Sequence, residues 1–303
     1  MNGILNVLKP PGMTSHDVVN FVRRETGLKK VGHTGTLDPE AAGVLPICIG
    51  KATKAVQYIT DKRKKYRANI KFGMTTETQD KYGNAISEKE VPYINIEFLQ
   101  EIANKFIGKI NQTPPQYSAV KYKGKKLYQY ALEGQVVDVK SREIEIYDIS
   151  IVDRLSKDEF MIDVLCSKGT YIRTLCNDIG QVSGYGAYMS QLIRLESYPF
   201  TIYDSFTLEE IQSARKEEYL NKLIINTDYV FSHYEKVSIK DTAKKSALNG
   251  NPIYSIGIME DIEKLKTKTV VRLYVENSFL GLGETHFDDI NNRNYIKIKT
   301  LFI

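Results

Sequence analysis

The stretch Gly32-His33-Thr34-Gly35-Thr36-Leu37-Asp38-Pro39-Glu40-Ala41-Ala42-Gly43-Val44-Leu45-Pro46-Ile47-Cys48-Ile49 joins a glycine-punctuated polar loop to a short apolar run. The run predicts a buried strand over 44–49. The loop ahead of it carries one carboxylate, Asp38, and one imidazole, His33. Gly32 and Gly35 lack a Cβ, so the backbone can turn sharply there and come close to a ligand. Pro39 pushes Asp38 toward an extended conformation and presents its carboxylate. A second reading stays open. Asp-Pro-Glu-Ala-Ala-Gly is also the order of a helix cap, a Pro at the first helical position, an early Glu and a Gly stop. The upstream glycines and His33 are what that cap leaves unexplained.

Working outward, Ile4 to Leu8 reads as a strand ended by Pro10-Pro11-Gly12. Thr14 or Ser15 then caps a helix through about Arg24, with Gly27 as its stop. A helix follows over 51–60. Beyond it Tyr66, Ala68, Ile70 and Phe72 alternate with Lys65, Arg67, Asn69 and Lys71, a period-two strand that turns Tyr66 inward. Leu99, Ile102, Ala103 and Phe106 repeat at helical spacing over 95–107. Two strands are expected over 143–151 and 159–167. A helix from Thr170 has the stripe Ile172, Leu175, Cys176 and Ile179, and another runs from Leu208 to about Leu223. Strands and helices mix without βαβ alternation, which predicts an α+β fold with a largely antiparallel sheet flanked by helices. From about Glu235 the texture changes to short β-like runs such as 270–275 and 295–298. The expected division is therefore 1–232 and a small β-rich module, 233–303.

The chain has 303 residues, enough for one large core or two domains. Nothing approaches an eighteen-residue apolar run, so no membrane span is expected, and the N-terminal residues do not read as a signal peptide. Cys48, Cys166 and Cys176 have neither disulfide nor CxxC spacing and read as buried thiols in a reducing cytoplasm. The scattered histidines argue against a metal site, and Gly50-Lys51-Ala52 fails as a P-loop. Net charge is +5. Lys62-Arg63-Lys64-Lys65-Tyr66-Arg67 and Lys121-Tyr122-Lys123-Gly124-Lys125-Lys126 interleave cations with tyrosines. That composition suits a phosphate-contacting surface with base-stacking platforms, and equally a pair of solvated loops.

Arg173 neighbours the buried stripe of its helix without belonging to it, and it falls in the first turn, where the macrodipole disfavours a cation. An anion to hold would explain it; a surface Arg tolerating a small penalty is the alternative. Paired with Asp38, it would keep that carboxylate ionised and oriented. An ionised Asp can serve as nucleophile or base without a cofactor. Tyr66 is either a core tyrosine or a ring that stacks on a substrate.

Five segments then resemble the bacterial tRNA pseudouridine synthase B (TruB) family: 8–15 (Leu-Lys-Pro-Pro-Gly-Met-Thr-Ser), 32–46, Lys65-Tyr66-Arg67, 113–121 (Thr-Pro-Pro-Gln-Tyr-Ser-Ala-Val-Lys) and 167–175. Their order and spacing span residues 4 to about 200. The tail, with Val271-Arg272-Leu273-Tyr274 and 279–284 (Phe-Leu-Gly-Leu-Gly-Glu), is more loosely similar to a PUA RNA-binding module. One departure is Leu192-Ile193-Arg194, where the family usually has Leu-Arg-Arg.

The resemblance implies isomerisation of the T-loop uridine at tRNA position 55 to pseudouridine. It implies no cofactor and no metal, the tRNA T arm as partner, no DNA, no membrane, no obligatory protein partner, a monomer and a cytoplasmic location. Asp38 matches the catalytic Asp, Tyr66 the ring on the target base, and Arg173 the partner of the Asp. Tyr171 and Leu192 match pocket walls, and His33 a residue contacting the flipped nucleotide. Residues 121–134, with Lys123, resemble a mobile thumb that closes on RNA. A target uridine inside a folded loop must be extruded, at about a few kcal/mol, and basic loops and aromatics offset that. A guide-RNA-dependent relative and an RNA-folding chaperone are the competing readings.

Overall fold

The structure is a computed structural model describing residues 1–303, the side chain of Glu263 excepted. A mixed sheet of nine strands forms its centre. Across the sheet the strands run Gly3–Lys9, Ala42–Ile49, Ala187–Ser197, Lys64–Phe72, Glu159–Cys166, Arg142–Arg154 and Gly108–Gln112, with Val31–His33 and Phe200–Thr201 paired at the side. Every pairing is antiparallel except one: Ala42–Ile49 meets Ala187–Ser197 in parallel over two rungs, Ile193 opposite Ala42 and Arg194 opposite Gly43. Those two rungs join the half of the sheet carrying the Asp38 loop to the half carrying Tyr66. Gly43 has φ +114°, and a Cβ there would collide with the Arg194 backbone. The seam therefore requires glycine at that position.

The apolar alternation decides which face is covered. Leu5, Val7, Leu45, Ile47, Ala68, Ile70 and Phe72 join one core with the helices Ser15–Thr26, Ile96–Asn104 and Ile172–Ser183. Thr14 caps the first of these through a capping box, and Gly27 ends it in the left-handed region, as the sequence predicts. On the opposite face Ile4, Val44 and Cys48 pack with Phe200, Phe231, Leu282 and Phe302. A five-stranded sheet over the C-terminal residues, ordered Glu235–Ile239, Val270–Val275, Ser278–Asp288, Arg293–Leu301 and Ile253–Tyr254, has a core of its own. It touches the first sheet through Phe231, the Tyr58 hydroxyl at 2.8 Å from Thr300 Oγ1, and Lys54 Nζ on the Leu301 carbonyl at 2.6 Å. All three cysteines are buried free thiols. Among the described residues no helix is long and apolar enough to cross a membrane.

Several expectations need correction. The stretch 51–60 is a 3-10 turn, Gly50–Ala55, followed by one short helix, Val56–Thr60. The helix expected over 208–223 ends at Lys216 and resumes as a 3-10 turn, Leu220–Leu223, because Glu218 takes φ 62°. Gly32 makes no turn: it lies inside the strand Val31–His33. Asp38 caps no helix. Pro39 and Glu40 form a turn closed by Ala41 N–H on the Asp38 carbonyl at 3.1 Å, and the chain then enters the strand Ala42–Ile49. The reason is Lys9. Its ammonium, fully buried, takes the carbonyls of Pro10, Pro39 and Ala41 at 2.8, 2.8 and 2.6 Å, and Gly12 N–H adds a bond to the Pro39 carbonyl. Carbonyls turned sideways onto a lysine cannot start a helical ladder.

Candidate active site

The Asp38 loop, the tyrosine strand and the start of the Ile172–Ser183 helix meet around a cavity of about 410 Å³. Asp38, Tyr66, Tyr171, Arg173 and Leu192 all line it. They arrive from the Asp38 loop, two strands and the start of one helix, so the site exists only in the folded sheet. Leu192 and Tyr66 project from neighbouring antiparallel strands, where Tyr66 is register partner to Arg194 and Ala68 to Leu192. Tyr171 is the N-cap of its helix. Its N–H donates to Gln112 Oε1 at 2.7 Å and its carbonyl accepts from Gln112 Nε2 at 3.1 Å, which fixes the start of the helix that carries Arg173.

Arg173 is itself buried, 6% of its side chain exposed, where the sequence placed it only beside the stripe. Its Nε sits 3.0 Å from Asp38 Oδ2, and its Nη2 donates to Asp38 Oδ1 at 3.4 Å and to the Tyr117 carbonyl at 3.0 Å. Its Nη1 donates to the Thr78 carbonyl at 3.1 Å and to Asp80 Oδ2 at 3.4 Å. A buried guanidinium with every edge occupied cannot swing away, so the carboxylate it holds is aimed. Asp38 keeps 41% of its side chain exposed toward the cavity. An oriented carboxylate with an open side facing a ring-sized space can reach a sugar or a base.

Two cations also line the cavity. Arg194, 1% exposed, donates from Nε to the Val44 carbonyl at 2.7 Å, from Nη2 to the Gly35 carbonyl at 3.1 Å and from Nη1 to the Thr36 carbonyl at 3.4 Å. Lys64, also buried, donates to the carbonyls of Thr60 and Lys62, each at 2.6 Å. Burial lowers the Lys64 pKa to about 8, with the charge of Arg194 adding to the effect. Burial raises the pKa of the Tyr66 phenol, and Arg194 beside it pulls the other way. Burial likewise raises that of Tyr171.

Two expected residues stand apart from this cavity. His33 does not line it; its Nδ1 lies 3.3 Å from Gly35 N–H, and burial lowers its pKa, helped by Arg194 and His16. Lys123 lies at the turn of a small hairpin, Lys121–Tyr122 with Lys125–Lys126, at φ 46° and 5.3 Å over the Tyr122 ring. A short helix, Leu127–Leu132, follows it. The basic run 62–67 is not one phosphate-facing surface. Lys64 is inside, while Lys65 and Arg67 lie on the outer face of the sheet, paired with Asp163 at 3.3 and 2.7 Å. Sequence reasoning passed over Asp80, Lys64 as a buried group, and Arg194 as anything but a remnant of a motif. Among the described residues no group of three or more His, Cys, Asp or Glu could hold a metal ion.

Comparison with known proteins identifies the family. Residues 23–172 match the TruB family pseudouridylate synthase N-terminal domain, and residues 173–232 the tRNA pseudouridylate synthase B C-terminal domain. The tRNA pseudouridine synthase B of Alkaliphilus oremlandii is 47% identical over 301 residues, 99% of this chain and 98% of that protein. That of Pelotomaculum thermopropionicum is 41% identical over 94% of this chain and 91% of its own length. Among solved structures, a Cbf5–Nop10–Gar1 complex superposes with TM-score 0.73 at 28% identity, covering 99% of this chain and 85% of that one. The chain therefore belongs to the TruB family of tRNA pseudouridine synthases.

Proposed function

We propose that the cavity isomerises the T-loop uridine at tRNA position 55, with Asp38 acting directly on the nucleotide. The observation that carries this is the buried Arg173 holding Asp38 at 3.0 Å while the carboxylate stays open to the cavity. Tyr66 stacks on the extruded uracil, and Leu192 and Tyr171 complete the walls. The glycosidic C–N bond breaks, the base turns, and it rejoins the sugar through carbon 5. No electrons are gained or lost overall, so these residues suffice without a cofactor.

The T arm is gripped from outside the cavity. The hairpin and short helix over 121–132, with Lys123 at the tip, act as the thumb, and His33 contacts the flipped nucleotide from the loop edge. Residues 233–303 form the PUA-like RNA-binding module. The protein works as a cytoplasmic monomer without an obligatory protein partner. Identity above 40% to proteins named tRNA pseudouridine synthase B, against 28% to the Cbf5 complex, supports this over guide-RNA dependence.

The test is tritium release from unmodified tRNA labelled at uridine carbon 5, using the purified chain and its Asp38→Asn variant. Release by the wild type alone is expected. No release by either would overturn the stand-alone reading. Release by both would remove Asp38 from the chemistry.

A further inference from the structure

Two carboxylates, Asp38 and Asp80, share one guanidinium, Arg173, on one side of the cavity. That side carries one more negative than positive charge. Arg194 and Lys64 also line the cavity and donate to backbone carbonyl oxygens. Among the described residues neither has a carboxylate within ion-pair distance. A buried cation is normally neutralised by an acid. Two that are not, both lining one cavity, leave a positive field beside Tyr66.

We propose that Arg194 and Lys64 form a cationic wall that stabilises the negative charge carried by the uracil while its bond to the sugar is open. The proposal rests on the uridine isomerisation described above. Whichever way Asp38 acts, the C1′–N1 bond breaks with its electron pair passing to the base. The ring holds that pair as it turns, then uses it to bond C5 to C1′. The C5 proton is lost and N1 takes one up, so atoms and charge balance without a co-reactant. Tyr66, the proposed stacking ring, is register partner to Arg194, which brings a base stacked on it next to that cation. Fixed charges aimed at a site of charge development in a water-poor cavity act without reorganising during the reaction. Arg194 is also a positioning residue, since its three carbonyl contacts hold Gly35 and Thr36 of the Asp38 loop to Val44 of the adjoining strand.

The test measures single-turnover rate at saturating tRNA, tRNA affinity and melting temperature for Arg194→Lys, Arg194→Gln, Arg194→Met and Lys64→Met. The expected rate losses are about 100-fold for Arg194→Met and Arg194→Gln, and about 10-fold for Arg194→Lys and Lys64→Met, with tRNA affinity within about threefold throughout. The Lys variant keeps the charge and loses the fork, so its advantage over Gln isolates the charge. Equal rates for the Lys and Gln variants would overturn the electrostatic role. If the Arg194 variants fail to fold, Lys64→Met decides: a folded Lys64→Met protein turning over at the wild-type rate overturns the proposal. A wild-type chain that forms no pseudouridine would instead refute the underlying reaction.

Discussion

Two Arg–Asp pairs sit on opposite faces of the same sheet and do different things. On the outer face Arg67 meets its cross-strand partner Asp163 through two bonds, Nε at 2.7 Å and Nη2 at 3.0 Å, and Lys65 adds a third contact. There the acid is buried (9% exposed) and the cation is open to solvent (37%). Inside, the order is reversed: Arg173 is buried and Asp38 is open. A carboxylate surrounded by cations and buried has no side left for a substrate, so the Asp163 pair is a cross-strand clasp. A carboxylate fastened from behind by a buried cation has its reactive side free. The same two residue types give a closed clasp or an open carboxylate according to which partner is buried.

The sharpest way to break this contrast is to neutralise each acid in turn. Asp38→Asn should abolish turnover, a loss beyond about 10⁴-fold, while tRNA affinity and stability stay near wild type. Asp163→Asn should leave turnover within about threefold and cost about 1–2 kcal/mol of stability in denaturant titrations. Swapped outcomes would end the comparison. Removing the cations gives the next effect. Arg173→Met should lower turnover by about 100-fold or more and also destabilise the fold, because Asp38 and Asp80 lose their shared partner. Arg67→Met should do neither beyond about 1 kcal/mol.

A smaller effect lies in the pH dependence of stability. Burial alone would raise the Asp163 pKa, but hydrogen bonds and charge from Arg67 and Lys65 outweigh it and hold the carboxyl below its ordinary value. A depressed folded-state pKa contributes stability above the unfolded value of about 3.9, and this is lost as pH falls through the folded one. The stability gap between wild type and Asp163→Asn should therefore narrow as pH drops below about 4. The smallest expected change lies outside both pairs. Lys123→Ala should weaken tRNA binding a fewfold and reduce the salt slope by about one, with the rate at saturating tRNA unchanged. An unaltered slope would take the hairpin out of the interface.

What the sequence reveals and hides follows from the range of each interaction. The Asp38 loop announces itself because its unusual chemistry is packed into one window, and Thr14 and Gly27 mark their helix because capping is local. Arg173 is legible through its awkward place in a helix's first turn. Its second carboxylate is not, since nothing in Thr78-Gln79-Asp80 points 93 residues ahead. The cap reading of Asp38 fails to a lysine 30 residues upstream of Pro39, and the basic run 62–67 is divided by an aspartate 96 residues downstream of Arg67. Hydropathy also misplaces Lys9, Lys64 and Arg194, all buried by carbonyl oxygens that a residue scale does not count.

The two-rung parallel seam at Ala42–Gly43 and Ile193–Arg194 has a consequence for operating temperature. Asp38 is carried on one leaf of the sheet and Tyr66 on the other, so the catalytic geometry exists only while the leaves stay zipped. Parallel rungs are the weaker kind, and there are two of them against the long antiparallel ladders on either side. The core shared by Leu5, Val7, Leu45, Ile47, Ala68 and Ile70 carries the join that the two rungs leave thin. Heating should therefore cost activity and fold together, the two leaves parting only as that core melts.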